Sequence, residues 1–491
     1  MLEIKGKYTT AKIMIDDVEE SALKQIYNIV SNIATKGCKI VVMPDVHAGA
    51  GNAVIGMTIE LGEKLSPAWI GVDIGCSVLS VNIGKKFTTN KGELLKIDEK
   101  IRKIIPMGSN IMDRSSVPSN FFEKNFNWKE TNDQAKKFIL CYNKKFNTNY
   151  TPIEFTYNWF LEKCKIIGMR QNAEMAIGSL GSGNHYLEVG LSDTYKNFWI
   201  TVHTGSRNFG KMICEYHMKI AKKNLDEKRN VLLRSKIEEI KKEFSRNDVY
   251  SKIKEAKKDL GIDFEIDMNG SEYLEGQYAI DYFMDMIFAQ FYSKFNRETI
   301  INRILDVLSL KEEERIESIH NYINFEEENM IIRKGAITSY LGQKMLIPLS
   351  MRDGMLICEG KSNPEWNFSA NHGAGRIMSR GQANRTIDLQ SFKKQMKGIV
   401  STSVCRSTLD ESPGVYKNPK MIESAISPTA TIIDRIRPIL NIKSSENENF
   451  KEMRKKEREK KRQIGSDEDD LITNKKFRKD RKTLRAVRGK F

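Results

Sequence analysis

The chain has 491 residues, 40% of them hydrophobic, and a formal net charge of +16. That is enough apolar material for a large core, and the excess of Lys and Arg points to a polyanionic partner, nucleic acid before membrane. No stretch approaches the roughly 20 apolar residues of a membrane span; the start, Met1–Lys7, lacks the apolar core of a secretory signal, and the seven cysteines stand singly, so a cytoplasmic protein without disulfide framework or zinc ribbon is expected.

Taken in chain order, Lys39-Ile-Val-Val-Met-Pro-Asp45 predicts a buried strand running into a turn. Trp69–Cys76 predicts a second strand that ends on Asp73 and Cys76. From about Lys85 to Glu174 the chain is charged and aromatic-rich, which predicts a mostly helical elaboration broken by the turn residues Asp113–Pro118. Phe198–His203 predicts a third strand. Helical periodicity follows from Lys211 to about Phe244 and again from Tyr273 to Leu308, where the Phe, Met and Tyr side chains read as core. Strands and helices interleave without regular βαβ alternation, which predicts an α+β fold. The folded part is expected to end near Lys443. Residues 444–491 form a basic extension with 17 Lys/Arg against 10 Asp/Glu, a net +7.

Five of the six histidines sit in short glycine-rich or Asp/Asn-containing signatures, at His47, His185, His203, His320 and His372. Asp73 and Cys76, three residues apart across a glycine, aim two ligand types at one place. With His185, His203 and His320 they form a candidate set for two neighbouring divalent ions bridged by the thiolate. Mixed soft and hard donors suit Mn, Zn, Co or Fe better than Mg alone. His372 is set differently, among Gly373, Gly375, Arg376 and Arg380. Glycines free the backbone to cradle an anion, and arginines offer forked donors to phosphate. There, an imidazole serves as a nucleophile on phosphorus, as another metal ligand or as a loop residue; the residues leave all three open. The chain holds no G-x-x-x-x-G-K-[ST] loop and no Lys-x-Asp-Gly; Met351-Arg-Asp-Gly354 comes nearest to the latter. A covalently held nucleotide therefore needs some other side chain, and His372 leads.

In this order the motifs resemble the RtcB family of RNA-splicing and repair ligases, from about Lys39 to Lys443. The resemblance rests on Met43-Pro-Asp-Val-His47, Gly71-Val-Asp-Ile-Gly-Cys76, Gly178-Ser-Leu-Gly-Ser-Gly-Asn-His185, His203-Thr-Gly-Ser-Arg207, His320-Asn321, Arg333-Lys-Gly-Ala336, His372-Gly-Ala-Gly-Arg376 and Asp410-Glu-Ser-Pro-Gly-Val-Tyr416. It implies one large domain, residues 1–443, of packed sheets with surrounding helices. It implies joining of RNA ends bearing a 2′,3′-cyclic phosphate or 3′-phosphate to 5′-hydroxyl ends, with GTP and two Mn²⁺ ions, through guanylylated His372, in RNA repair or tRNA splicing. By the same resemblance Asp73, Cys76, His185, His203 and His320 hold metal, and Asn184, Glu188, Ser350, Gly375, Tyr416 and Lys443 contact GTP. Arg207, Arg376 and Arg380 take RNA phosphates, Asp45 stands beside the site, and an accessory activator protein is a candidate partner. The chain departs from the commoner pattern at Ala50, Ser77 and the run Ser350-Met-Arg-Asp-Gly-Met355. Two rival readings stand beside this one: an enzyme that caps 3′-phosphates with GMP without sealing, and an RNA-binding relative that has lost catalysis.

Overall fold

Runs of β-branched residues set down the framework. In chain order the strands of the computed structural model are β1 (Leu2–Lys5), β2 (Thr10–Ile13), β3 (Ile40–His47), β4 (Ile55–Glu60), β5 (Ser77–Asn82), β6 (Tyr186–Ser192), β7 (Phe198–Thr204), β8 (Glu314–Ile319), β9 (Asn321–Asn324), β10 (Ile331–Lys334), β11 (Ala336–Thr338), β12 (Lys344–Ser350), β13 (Gly354–Gly360), β14 (Ser369–Asn371) and β15 (Ala430–Ile442). The structure describes residues 1–169, 172–259, 272–325 and 330–445. The chain divides into a body, Met1–Ser444, and a second unit, Ser445–Phe491. Nearly all of that second unit, and so the basic extension expected from the charge count, lies outside the described residues.

Six strands form one sheet in the order β1-β2-β3-β4-β10-β9, with only β2–β3 parallel. Seven form an antiparallel sheet in the order β12-β13-β15-β6-β7-β5-β8, and β11 pairs with β14. The helices around them begin with α1 (Glu20–Val30), α2 (Lys91–Ile104), α3 (Phe121–Asn125), α4 (Trp128–Phe146) and α5 (Tyr157–Ile166). They continue with α6 (Arg207–Glu243), α7 (Arg246–Asp259) and α8 (Gln277–Leu308). Asn90, Asn127 and Thr156 start α2, α4 and α5 by accepting backbone N–H groups on their side chains. The α+β architecture is as expected, and the segment 85–174 carries α2 to α5. No described helix is long and apolar enough to cross a membrane.

The largest core lies among β2–β4, α1, α4, α5, α6 and α8, where Phe122, Phe138, Phe160, Phe283 and Phe288 pack together. The Phe/Met/Tyr stripe of α8 is core, as its period predicts. The sixth histidine, His217, belongs to this core, with Nε2 2.7 Å from Asp285 Oδ2. A second core joins β5, β6, β7 and β15 to α2 and the end of α8.

One expected strand is absent. Trp69–Cys76 does not extend: Trp69 closes a 3-10 turn at Pro67–Trp69, and the strand begins only at Ser77. Gly71 and Gly75 take φ of 95° and 67°, outside the extended region, and turn the chain twice within five residues. The apolar run misled because Trp69, Ile70 and Ile74 are buried from a loop, beneath α6 and α8.

Candidate active site

Two-residue alternation builds the floor. In the seven-stranded sheet Leu187, Val189, Ile200, Val202, Leu440 and Ile442 point into the second core. Their neighbours therefore point the other way: Tyr186 and Glu188 on β6, His203 on β7, Asn441 on β15. In register Tyr186 faces His203, and Glu188 faces Asn441. All four line a cavity of about 490 Å³, within the range of small-molecule sites. His47, Asn184, Ser350, His372, Gly375, Arg376, Arg380, Glu411, Tyr416 and Lys443 line it too.

The expected metal ligands converge at one end. Asp73, Cys76 and His185 place ligand atoms within 4.8 Å of one another, and so do Cys76, His203 and His320. His185 Nε2 is 2.8 Å from Asp73 Oδ2, and Cys76 Sγ is 3.6 Å from His185 Nε2 and 3.3 Å from His203 Nε2. His203 Nε2 and His320 Nε2 are 3.3 Å apart. Two three-ligand groups thus share one sulfur. Burial, reinforced by neighbouring imidazoles, pushes His203 and His320 well below the usual histidine range, so both offer lone pairs. Burial raises the Asp73 carboxyl, but His185 pulls it down further, to about 2. Burial and Asp73 hold the Cys76 thiol well above its ordinary value. Only a nearby cation makes that sulfur a thiolate, so the donor set fits divalent metal ions.

What surrounds these ligands fixes their aim. His203 Nδ1 is 3.2 Å from the Asn184 carbonyl, which leaves Nε2 for the ligand role. The Gly75 carbonyl accepts from Ser293 Oγ and from Nη1 of buried Arg297, both at 2.8 Å, while Arg297 also pairs with Glu317. Asn321 Nδ2 donates to the Asp73 carbonyl at 3.0 Å. The Arg333-Lys-Gly-Ala336 motif braces from below. Arg333 holds Ser369 Oγ and the carbonyls of Asn367 and Phe368, and Lys334 Nζ donates to the Ala68 carbonyl at 2.7 Å.

His372 follows β14 directly, and its ring lies 4.9 Å from that of His320, centroid to centroid. Its Nδ1 is 2.7 Å from Oδ2 of buried Asp45, which also accepts the Gly373 N–H at 3.2 Å. With Nδ1–H donated to a carboxylate, Nε2 carries the lone pair, which is the form a nucleophilic imidazole needs.

The cations of the cavity are already paired. Arg380 Nη1 lies 2.6 Å from Asp410 Oδ2 and 2.8 Å from Glu411 Oε1. Glu411 Oε2 accepts from Tyr416 Oη at 2.7 Å and pairs with Lys443 Nζ at 3.2 Å. Arg376 reaches the Asp410 carbonyl and Glu411 as well. Burial raises the Glu411 carboxyl, but Lys443, Arg380 and Arg376 outweigh it and bring it to about 2. Glu411 thus pairs with three cations of the cavity lining. Arg207 sits apart from the cavity lining, with Nε 3.1 Å from Ser179 Oγ and Nη2 2.7 Å from the Gly108 carbonyl. Ser350 Oγ donates to Asp353 Oδ2 at 2.6 Å and accepts the N–H groups of Arg352 and Asp353.

Sequence reasoning gave no role to Glu411, Asn441 or His47. The first lies inside a quoted motif, and Asn441 lies two residues before Lys443, on the same face of the chain. His47 stood among the signature histidines; its Nδ1 is 2.9 Å from the Asp45 carbonyl, and burial lowers its pKa to about 4.

The family model described as tRNA-splicing ligase RtcB matches residues 25–444. The RNA-splicing ligase RtcB of Escherichia coli K12 is 28% identical over 422 residues, covering 82% of this chain and 90% of its own. The tRNA-splicing ligase RtcB of Archaeoglobus fulgidus is 23% identical over 489 residues, covering 88% and 92%. The RNA-splicing ligase RtcB homolog 2 of Entamoeba dispar is 23% identical over 469 residues, covering 84% and 82%.

Proposed function

This chain belongs to the RtcB family of tRNA-splicing ligases, and from that premise we propose that it seals RNA 3′-phosphate ends to 5′-hydroxyl ends with GTP, through a guanylylated His372. The observation that carries the reading is the Asp45–His372 pair beside the metal-type cluster: a buried carboxylate fixes Nδ1, leaving Nε2 at the cavity.

In the proposed sequence Nε2 attacks the α-phosphorus of GTP, the bond to pyrophosphate breaks, and GMP is held on nitrogen. A 2′,3′-cyclic end is first opened by water, because only a free phosphate oxygen accepts GMP. That oxygen displaces His372, and the 5′-hydroxyl then attacks the 3′-phosphorus with GMP as leaving group, giving a 3′,5′ linkage. Asp73, Cys76, His185, His203 and His320 would hold the divalent ions, Mn²⁺ by our reading, which when bound neutralise phosphate charge. Arg376, Arg380 and Lys443 would exchange Asp410 and Glu411 for phosphate oxygens. Asn184, Ser350, Gly375 and Tyr416 would line the nucleotide.

The test is product analysis. RNA with a 3′-phosphate and RNA with a 5′-hydroxyl are incubated with GTP and Mn²⁺. Joined product supports the reading. A persistent GMP-capped 3′ end without joining would favour the capping enzyme, and neither product, with RNA still bound, the inactive relative.

Glu188 would read the guanine edge by accepting its N–H donors. Burial pushes its carboxyl up to about 8, against the pull of Asn441 and Lys443. An acceptor is needed, so the charged form binds, and protonation competes. GTP affinity should therefore rise between about pH 7 and 8.5, by up to about ten-fold per unit below the Glu188 pKa, and Glu188→Gln should flatten that profile. A flat wild-type profile would remove Glu188 from guanine recognition.

The basic extension would add RNA affinity by neutralising phosphates, on the strength of its net +7. A chain ending at Lys443 should bind RNA with a shallower salt dependence, since the slope falls by about 0.7–0.9 for each phosphate that is no longer neutralised. An unchanged slope refutes that role.

A further inference from the structure

We infer that Lys417 is a positioning residue for the nucleophile, acting through Asp45. β3 does not run regularly: its register against β4 shifts between Val42 and His47. The shift takes the carbonyls of Pro44 and Val46 out of the ladder, one on each side of Asp45. Lys417 Nζ donates to both, at 2.9 and 3.1 Å. The lysine is 7% exposed, and its backbone N–H donates to the Gly375 carbonyl at 3.0 Å.

One residue thus ties three segments together: the irregular part of β3, the loop that follows His372, and the strip that carries Glu411 and Tyr416. The approach is close. A Cβ on Gly375, whose φ is 74°, would lie 2.2 Å from the Asp45 carbonyl oxygen. Apart from this clamp, Asp45 is held by its carbonyl oxygen, 2.9 Å from His47 Nδ1, and by its carboxylate. Its Oδ2 serves His372 and Gly373, while Oδ1, buried against Gly56, has no hydrogen-bond partner among the described residues. Orientation of the carboxylate therefore comes from its backbone, and Lys417 clamps that backbone on both sides. Burying an ammonium and two carbonyls is costly unless they satisfy one another, which they do here. An apolar side chain of similar length would leave two buried acceptors unpaired and free the Asp45 segment to shift. Displacements near 1 Å at a reacting group cost about 10²-fold in rate.

The inference rests on the reading of His372 as the group that takes GMP. Single-turnover transfer of GMP from α-labelled GTP to protein separates the two. Wild type, Asp45→Asn, Lys417→Met and the double variant are compared, with GTP varied. Lys417→Met should slow the saturated rate by about ten-fold or more while the half-saturating GTP concentration stays within about two-fold, the mark of lost positioning rather than lost binding. The double variant should be no slower than Asp45→Asn alone, because residues that act through one another do not add. A wild-type rate for Lys417→Met, or losses that multiply in the double variant, overturns the inference and leaves the histidine reading standing. A wild type that takes no label overturns both. Should Lys417→Met fail to fold, Lys417→Leu, which likewise leaves the carbonyls of Pro44 and Val46 without their donor, enters the same cycle with the same outcomes.

Discussion

His372→Ala should take no covalent label from α-labelled GTP, a loss of at least about 10³-fold, because the bond to phosphorus then has no nitrogen to form on. The neighbours do not replace it. His320 and His203 have their Nε2 atoms 3.3 Å apart in the metal-type cluster, and His47 lacks the carboxylate partner that fixes the tautomer of His372. The same variant separates chemistry from structure. Supplied with RNA whose 3′-phosphate already carries GMP, it should still join that end to a 5′-hydroxyl, since in the proposed sequence the last displacement needs no attack by Nε2. Labelling that persists in His372→Ala would move the nucleophile elsewhere. Loss of both activities would instead assign His372 to holding the site together.

The candidate metal ligands stood out because four of the five are Cys or His, and Asp73, Cys76, His185 and His203 each lie within two residues of a glycine; His320 stood out by its Asn321 neighbour alone. The strands at β3 and β7 were legible because their apolar runs are β-branched and short. Trp69–Cys76 carried the same signal and is a loop, since local composition registers burial but not the positive φ of Gly71 and Gly75. Glu411 and Lys417 stayed hidden for another reason. An acidic or basic residue in a chain that is 29% charged attracts no notice, and only tertiary structure sets Glu411 among three cations and Lys417 across two carbonyls. Likewise the arginines were readable as phosphate donors, but not that Asp410 and Glu411 already engage two of them.

Cys76→Ala should be the most damaging change among the metal-type ligands, because Cys76 alone belongs to both three-ligand groups. His320→Ala or Asp73→Ala removes one ligand from one group; Cys76→Ala removes one from each, and with it the only sulfur. Loss of a group that merely supports a ligand costs about 10–100-fold in metal affinity, so loss of a shared ligand should exceed about 100-fold. Metal content, measured after equilibration with limiting Mn²⁺, reads this directly and without activity. His320→Ala and Asp73→Ala should each keep one ion where Cys76→Ala keeps none. The apo protein should tolerate the change, since a buried thiol held protonated by its surroundings contributes only its volume there. Metal content equal across the three variants would mean that the sulfur does not bridge, and that its closeness to His185 and His203 reflects packing at the start of β5 alone.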